Sequence, residues 1–174
     1  TSFSISYMLQ ASLRQKKNFE YDYLGVALNF RTSSDQDQLP FLQNSEDEVS
    51  KASSNFRNPL TYLNEHATEE AFCKTAQKSR IIHLATHALS NDLNPLLSRL
   101  VLQPDATNDG NIYMHELLNL SIPSELVILS ACNTGTGQLT ANDGILSLGY
   151  GFAYAGCENS VMSLWSSPDH STAE

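Results

Sequence analysis

Two residues in this 174-residue chain have the type and the setting for covalent chemistry: Cys132 and His87. A cysteine attacks as its thiolate, so its proton must be taken by a base or its pKa must fall. An imidazole is the natural base, and the natural acid for a departing amine. Cys132 stands in Leu126-Val-Ile-Leu-Ser-Ala-Cys132-Asn-Thr-Gly135-Thr-Gly137, and His87 closes Ile81-Ile-His-Leu-Ala-Thr-His87. The Asn-Thr-Gly that follows the cysteine must turn, and the backbone N–H groups of such a turn suit an oxyanion.

Each residue follows a short β-branched and leucine run, the composition of a fully buried strand. Open α/β sheets bind their ligands at the carboxyl ends of such strands. The other elements alternate around these two. Apolar spacing from Ile5 to Leu13 predicts a helix, and Arg14 to Lys17 reads as its solvated end. Tyr23 to Phe30 reads as the first sheet strand, and Arg31 to Pro40 as a polar loop. Asn44 or Ser45 caps a helix through Phe56, with Glu46, Asp47 and Glu48 favouring its positive end. A short strand at Leu60 to Leu63 precedes a helix from Thr68 to about Lys78. Arg80 to Thr86 is the histidine strand. Arg99 to Gln103 and Asn111 to Met114 form a hairpin with a long loop, and His115 to Asn119 a helical turn. Leu126 to Ala131 is the cysteine strand. Asn142 to Tyr154 is a helix ended by Gly156, and Ser160 to Trp165 the last strand. This βαβ alternation predicts one mainly parallel sheet with helices on both faces.

Composition narrows the function. A net charge of -9 disfavours nucleic acid and anionic membrane as partners. No run has the length of a membrane span. Three cysteines without a CxxC spacing indicate neither a disulfide framework nor a zinc knuckle, and favour a reducing, cytoplasmic setting. The length suits a single domain over residues 1–174. Without an initiator methionine, and with Ser171-Thr-Ala-Glu174 in capping-box form, the chain reads as a piece of a longer one.

Five motifs in order resemble the CHAT domain: Ile-His-Leu-Ala-Thr-His87, Leu-Ser-Ala-Cys132-Asn-Thr-Gly, Asp143-Gly144, Ala155-Gly156-Cys-Glu-Asn-Ser-Val and Ser-Leu-Trp165-Ser-Ser-Pro-Asp169. That family is caspase-like, related to separase and to the clan of caspases and gingipains. The resemblance implies a three-layer α/β/α caspase-like sandwich with a mainly parallel central sheet. It also implies a cysteine endopeptidase with a His87–Cys132 dyad and no obligatory third residue, needing no metal or organic cofactor. The N–H groups of Ala88 and Cys132 would form the oxyanion hole. The family usually has glycine at the position of Ala88; alanine keeps the donor but disfavours a positive φ. Asp143 and Asp169 stand where an acid would select a basic substrate residue; Trp165 reads first as a core aromatic and second, at the end of the last strand, as a wall of the substrate groove. The family further suggests a protein or peptide substrate, N-terminal TPR repeats or a regulatory partner, and a role in bacterial defence. The alternative is a pseudo-protease kept as an interaction module.

Plainer roles compete at each position. A lone cysteine is more often buried structure, as Cys73 and Cys157 are expected to be. Asp143 and Asp169 can equally cap helices. His83 and His87 are spaced like metal ligands, but on a strand they stand about 13 Å apart, too far for one ion. His83 therefore reads as a satisfied core histidine. A Rossmann-like ligand site is disfavoured, since no glycine-rich fingerprint follows a strand. Both dyad side chains are expected to line a cleft, so that His87→Ala leaves the fold intact.

Overall fold

The computed structural model describes residues 17–30, 39–91, 93–130 and 142–162. The helix expected at Ile5–Leu13, Cys132 with its turn, Trp165, Asp169 and the closing capping box all lie outside the described residues.

Along the chain come β1 (Tyr21–Ala27), α1 (Ser45–Ser53), β2 (Pro59–Leu63), α2 (Glu69–Ala76) and β3 (Ser79–Ala85). Then follow β4 (Ala88–Leu89), β5 (Arg99–Val101), β6 (Asn111–Tyr113), α3 (Met114–Leu117), β7 (Leu126–Leu129), α4 (Asn142–Tyr154) and β8 (Ser160–Met162). The main sheet has the order β2-β1-β3-β7-β8, and every pairing in it is parallel. The histidine and cysteine strands are direct neighbours, with His83 opposite Ile128 and Leu84 opposite Leu129. This is the mixed α/β sandwich expected, with helices packed against the sheet.

Alternation along the strands divides the core in two. Leu24, Val26, Ile82, Leu84, Val127 and Leu129 face one side, where they bury Phe72 and Ala76 of α2 and Leu148 and Phe152 of α4. Burying a leucine or isoleucine side chain there stabilises the fold by roughly 1.5–3 kcal/mol. Tyr23, Ala27, Ile81 and Ala85 face the other side, against Val49 and Ala52 of α1. Helix α1 is mostly polar, and Val49 is its one buried apolar residue. Its docking therefore depends on close approach and on polar contacts.

Several expected bounds shift, each for a local reason. β1 ends at Ala27 because the chain soon turns through Phe30, whose φ of 59° no strand accommodates. α1 ends at Ser53, and Phe56 turns back to stack on the Tyr23 ring at 4.7 Å between centroids. β3 stops at Ala85, and the chain then enters β4, an unforeseen strand that extends the β5–β6 hairpin into a three-stranded antiparallel sheet. Lys17 is no solvated helix end: its Nζ donates to the Pro123 carbonyl at 2.7 Å and pairs with Glu158 at 3.2 Å. Gly156 closes α4 as expected, with φ of 107°.

Gly25 in β1 is what allows α1 to sit so near the sheet. A Cβ there would stand 2.8 Å from Tyr23 Cε1 and closer still to Val49 Cγ1. Gly25→Ala should therefore overpack this face and lower stability by about 1–3 kcal/mol. Thermal denaturation reads this as a fall in Tm of several degrees; an unchanged Tm would show that α1 docks by other means.

Candidate functional site

His83 lies within β3 and His87 just past its end, and their surroundings differ. His87 lies two residues beyond the strand, at the carboxyl edge, and is fully buried. Its Nε2 donates to the Pro40 carbonyl at 2.8 Å, and its ring packs on Phe30 with centroids 4.5 Å apart. A carbonyl only accepts, so this contact places the proton on Nε2 and leaves Nδ1 with the lone pair in the neutral ring. The His87 carbonyl accepts from Val101 N at 2.9 Å, and Thr86 Oγ1 donates to the Val101 carbonyl, so β5 holds the backbone on the other side.

The expectation that His87 lines an open cleft is corrected here. Phe30, Leu28 and Leu42 form a small cluster with Leu39 and Val101 beside it, and the ring has no exposed surface. Its removal would leave a cavity and strand the Pro40 carbonyl. His87→Ala is therefore also a stability mutation.

Ala88 is buried opposite Leu100. Because Val101 N bonds the His87 carbonyl, Ala88 and Leu100 form a non-hydrogen-bonded pair. The Ala88 N–H is accordingly directed away from β5. Among the described residues only Phe30 and Asn64 are non-glycines at positive φ, so alanine carries no such strain at position 88.

His83 is satisfied, as its spacing suggested, and by more than a backbone group. Nδ1 meets the Tyr23 hydroxyl at 2.8 Å and Nε2 meets Glu48 Oε1 at 2.9 Å. The same Glu48 oxygen accepts from Ser130 Oγ, two residues before Cys132. Burial first, then the Glu48 charge, pushes the Tyr23 hydroxyl pKa well above its ordinary value. Glu46, one turn position away, accepts from Asn29 Nδ2. Glu46 and Glu48, which from the sequence serve only the helix dipole, thus bind one residue within β3 and one just beyond each of β1 and β7. Neither Tyr23 nor Ser130 nor the Pro40 carbonyl was singled out from the sequence. Hydroxyls and backbone carbonyls carry no spacing signature that would have found them.

The remaining thiols are structural. Burial, with the Glu69 and Glu116 charges, pushes Cys73 up to about 11. Burial also raises Cys157, whose Sγ donates to the Asn159 carbonyl at 3.1 Å. Among the described residues no His, Cys, Asp and Glu group could hold a metal ion. Asp143 falls in the first turn of α4, and its side chain lies outside the described residues. A cleft of about 510 Å³ opens at the opposite, amino edge of the sheet, lined by Lys17, Asp22, Phe56, Arg57, Arg80 and Glu125. Its Arg80 pairs with Asp22 and Glu125, and it lies far from the histidine edge in the chain's topology.

A five-stranded parallel sheet flanked by helices is consistent with a caspase-like α/β sandwich. The chain belongs to the CHAT domain family, whose model matches residues 1–174. That family consists of caspase-like, peptidase-related domains. A comparison with curated proteins gives no match. No helix among the described residues is long and apolar enough to cross a membrane.

Burial, reinforced by Glu116, Asp109 and Asp105, raises Glu69 from 4.5 to about 7. A raised carboxyl stabilises the fold below its unfolded pKa, and that contribution is lost as pH rises through the folded value. Stability should therefore decline between pH 4.5 and about 7. Glu69→Gln should flatten the decline and raise Tm above pH 7, as read by denaturation at a series of pH values. Glu69 is only partly buried, which keeps the effect modest.

Proposed function

We propose that the chain is a cysteine peptidase domain in which Cys132 and His87 act as a dyad on a protein substrate. Cys132 Sγ gives its proton to His87 Nδ1 and attacks the scissile carbonyl as the thiolate, and the Ala88 and Cys132 N–H groups hold the oxyanion. The tetrahedral adduct collapses by breaking the C–N bond, and His87 Nδ1 delivers the proton to the leaving amine. Water, its proton drawn to the same nitrogen, then cleaves the acyl-enzyme and restores the thiol. No metal or organic cofactor enters these steps.

One observation carries this reading. His87 is fixed at the carboxyl edge of a parallel sheet with Nε2–H on the Pro40 carbonyl, so Nδ1 is the nitrogen for proton transfer. The structural backbone carbonyl supplies an orienting group that the dyad alone did not require. The Ala88 N–H directed away from β5 supports its oxyanion role. Asp143, Asp169 and Trp165 would shape the substrate site, with the two acids selecting a basic residue. The same reading takes residues 1–174 as one cytoplasmic domain, regulated by TPR repeats or a partner within a longer defence protein.

The complete burial of His87 favours a second reading, that of a pseudo-protease serving as an interaction module. Labelling of the full-length protein with peptide acyloxymethyl ketones separates the two. The peptidase reading predicts covalent labelling at Cys132, abolished in Cys132→Ala. His87→Gln keeps an amide donor for the Pro40 carbonyl but no base, so it should remain folded and label at least a hundredfold more slowly. His87 should also keep Cys132 reactive to iodoacetamide well below the model thiol pKa of about 8.5. A folded full-length protein that never labels would establish the module instead.

A further inference from the structure

Glu48 is a charged group in a place where charge is costly. Its side chain is 11% exposed and that of its partner His83 6%. A buried carboxylate is tolerated only when paired and hydrogen-bonded, and an apolar replacement for such a pair is often no less stable. Helix stability does not explain it, since a carboxylate serving the dipole alone would remain solvated.

What Glu48 does hold is specific. One oxygen accepts from His83 Nε2 on β3 and from Ser130 Oγ at the end of β7. The Ser130 N–H also donates to the Leu84 carbonyl at 2.9 Å, so backbone and side chain of Ser130 are both tied to the histidine strand. Tyr23 and Phe56 back the arrangement: Tyr23 bonds His83 Nδ1, and Phe56 stacks on Tyr23. The neighbouring Glu46 binds Asn29, whose carbonyl accepts from Leu42 N at 3.0 Å, close in sequence to the Pro40 carbonyl that holds His87. The first turn of α1 therefore reaches both the residue two before Cys132 in sequence and the segment that holds His87.

We propose that Glu48 is a positioning residue for Cys132: by gripping Ser130 and His83 together, it sets the approach of the cysteine segment to the histidine strand. Resting on Cys132 as the nucleophile, this extends the dyad reading by a residue that touches neither substrate nor reacting atom. The acceptor oxygen, not the charge, is what the geometry requires, because both partners donate to it.

The test uses the full-length protein and two probes. Iodoacetamide measures the alkylation rate of Cys132 at pH 7, followed by mass spectrometry of the cysteine peptide. A panel of peptide acyloxymethyl ketones, with lysine, arginine, aspartate or leucine beside the warhead, measures kinact and KI. Glu48→Ala should slow Cys132 alkylation at least tenfold and lower kinact similarly, with KI changed less than twofold. Glu48→Gln, which retains the acceptor, should restore both rates to within threefold. Ser130→Ala should match the Glu48→Ala defect, and the double variant should lose no more than either alone, because the two act as one unit. Glu48→Ala that lowers Tm but alkylates within twofold of the parent rate would overturn the proposal, as would losses that multiply in the double variant. If ketones never label the parent while the alkylation pattern holds, the peptidase reading fails and the positioning role stands.

Discussion

The parallel pairing of β3 with β7 limits where any chemistry in this chain can lie. Parallel neighbours release their carboxyl ends at the same edge, so the residues after Ala85 and after Leu129 must leave the sheet side by side. The ladder extends one residue further through the bond from Ser130 N to the Leu84 carbonyl. Register matters as much as direction. A slip of one residue would turn His83, Ile81 and Ala85 to the other face and deprive Glu48 and Tyr23 of their partner.

Around that edge the protein uses polar contacts where a larger helix would use apolar ones. Helix α1 has Val49 as its single buried apolar side chain, and relies on Gly25 for closeness and on Ser45, Glu46 and Glu48 for fixed contacts. Ser45 Oγ donates to the Leu42 carbonyl at 3.2 Å, tying the helix start to the segment that covers His87. The apolar side of the sheet, with Phe72, Leu148 and Phe152 against it, needs no such devices. The division assigns stability to one face and orientation to the other.

Much of this was legible in the sequence because it follows from hydrophobic pattern. The runs at Ile81 and Leu126 announce buried parallel strands, and Thr68 marks a helix start that its side chain does cap, accepting from Ala71 N at 3.2 Å. The motif series also identified the family. Tertiary partners were not legible. Nothing local distinguishes Glu48, which binds a buried histidine, from Asp47, which is exposed. The burial of His87 has no local signal for the same reason, since Pro40 and Phe30 reach it from 47 and 57 residues upstream. Asn44, chosen as a helix cap from its type, takes the cap position without a side-chain cap bond.

In the proposed dyad, His87 is held with its proton on Nε2 so that Nδ1 is left for Cys132. Long-range nitrogen–proton NMR of imidazole-labelled full-length protein tests it directly, recorded before and after Cys132 is alkylated with iodoacetamide. The neutral His87 ring should carry its proton on Nε2, and alkylation should shift the Nδ1 resonance most. A proton on Nδ1, or a His87 ring indifferent to alkylation of Cys132, would contradict it.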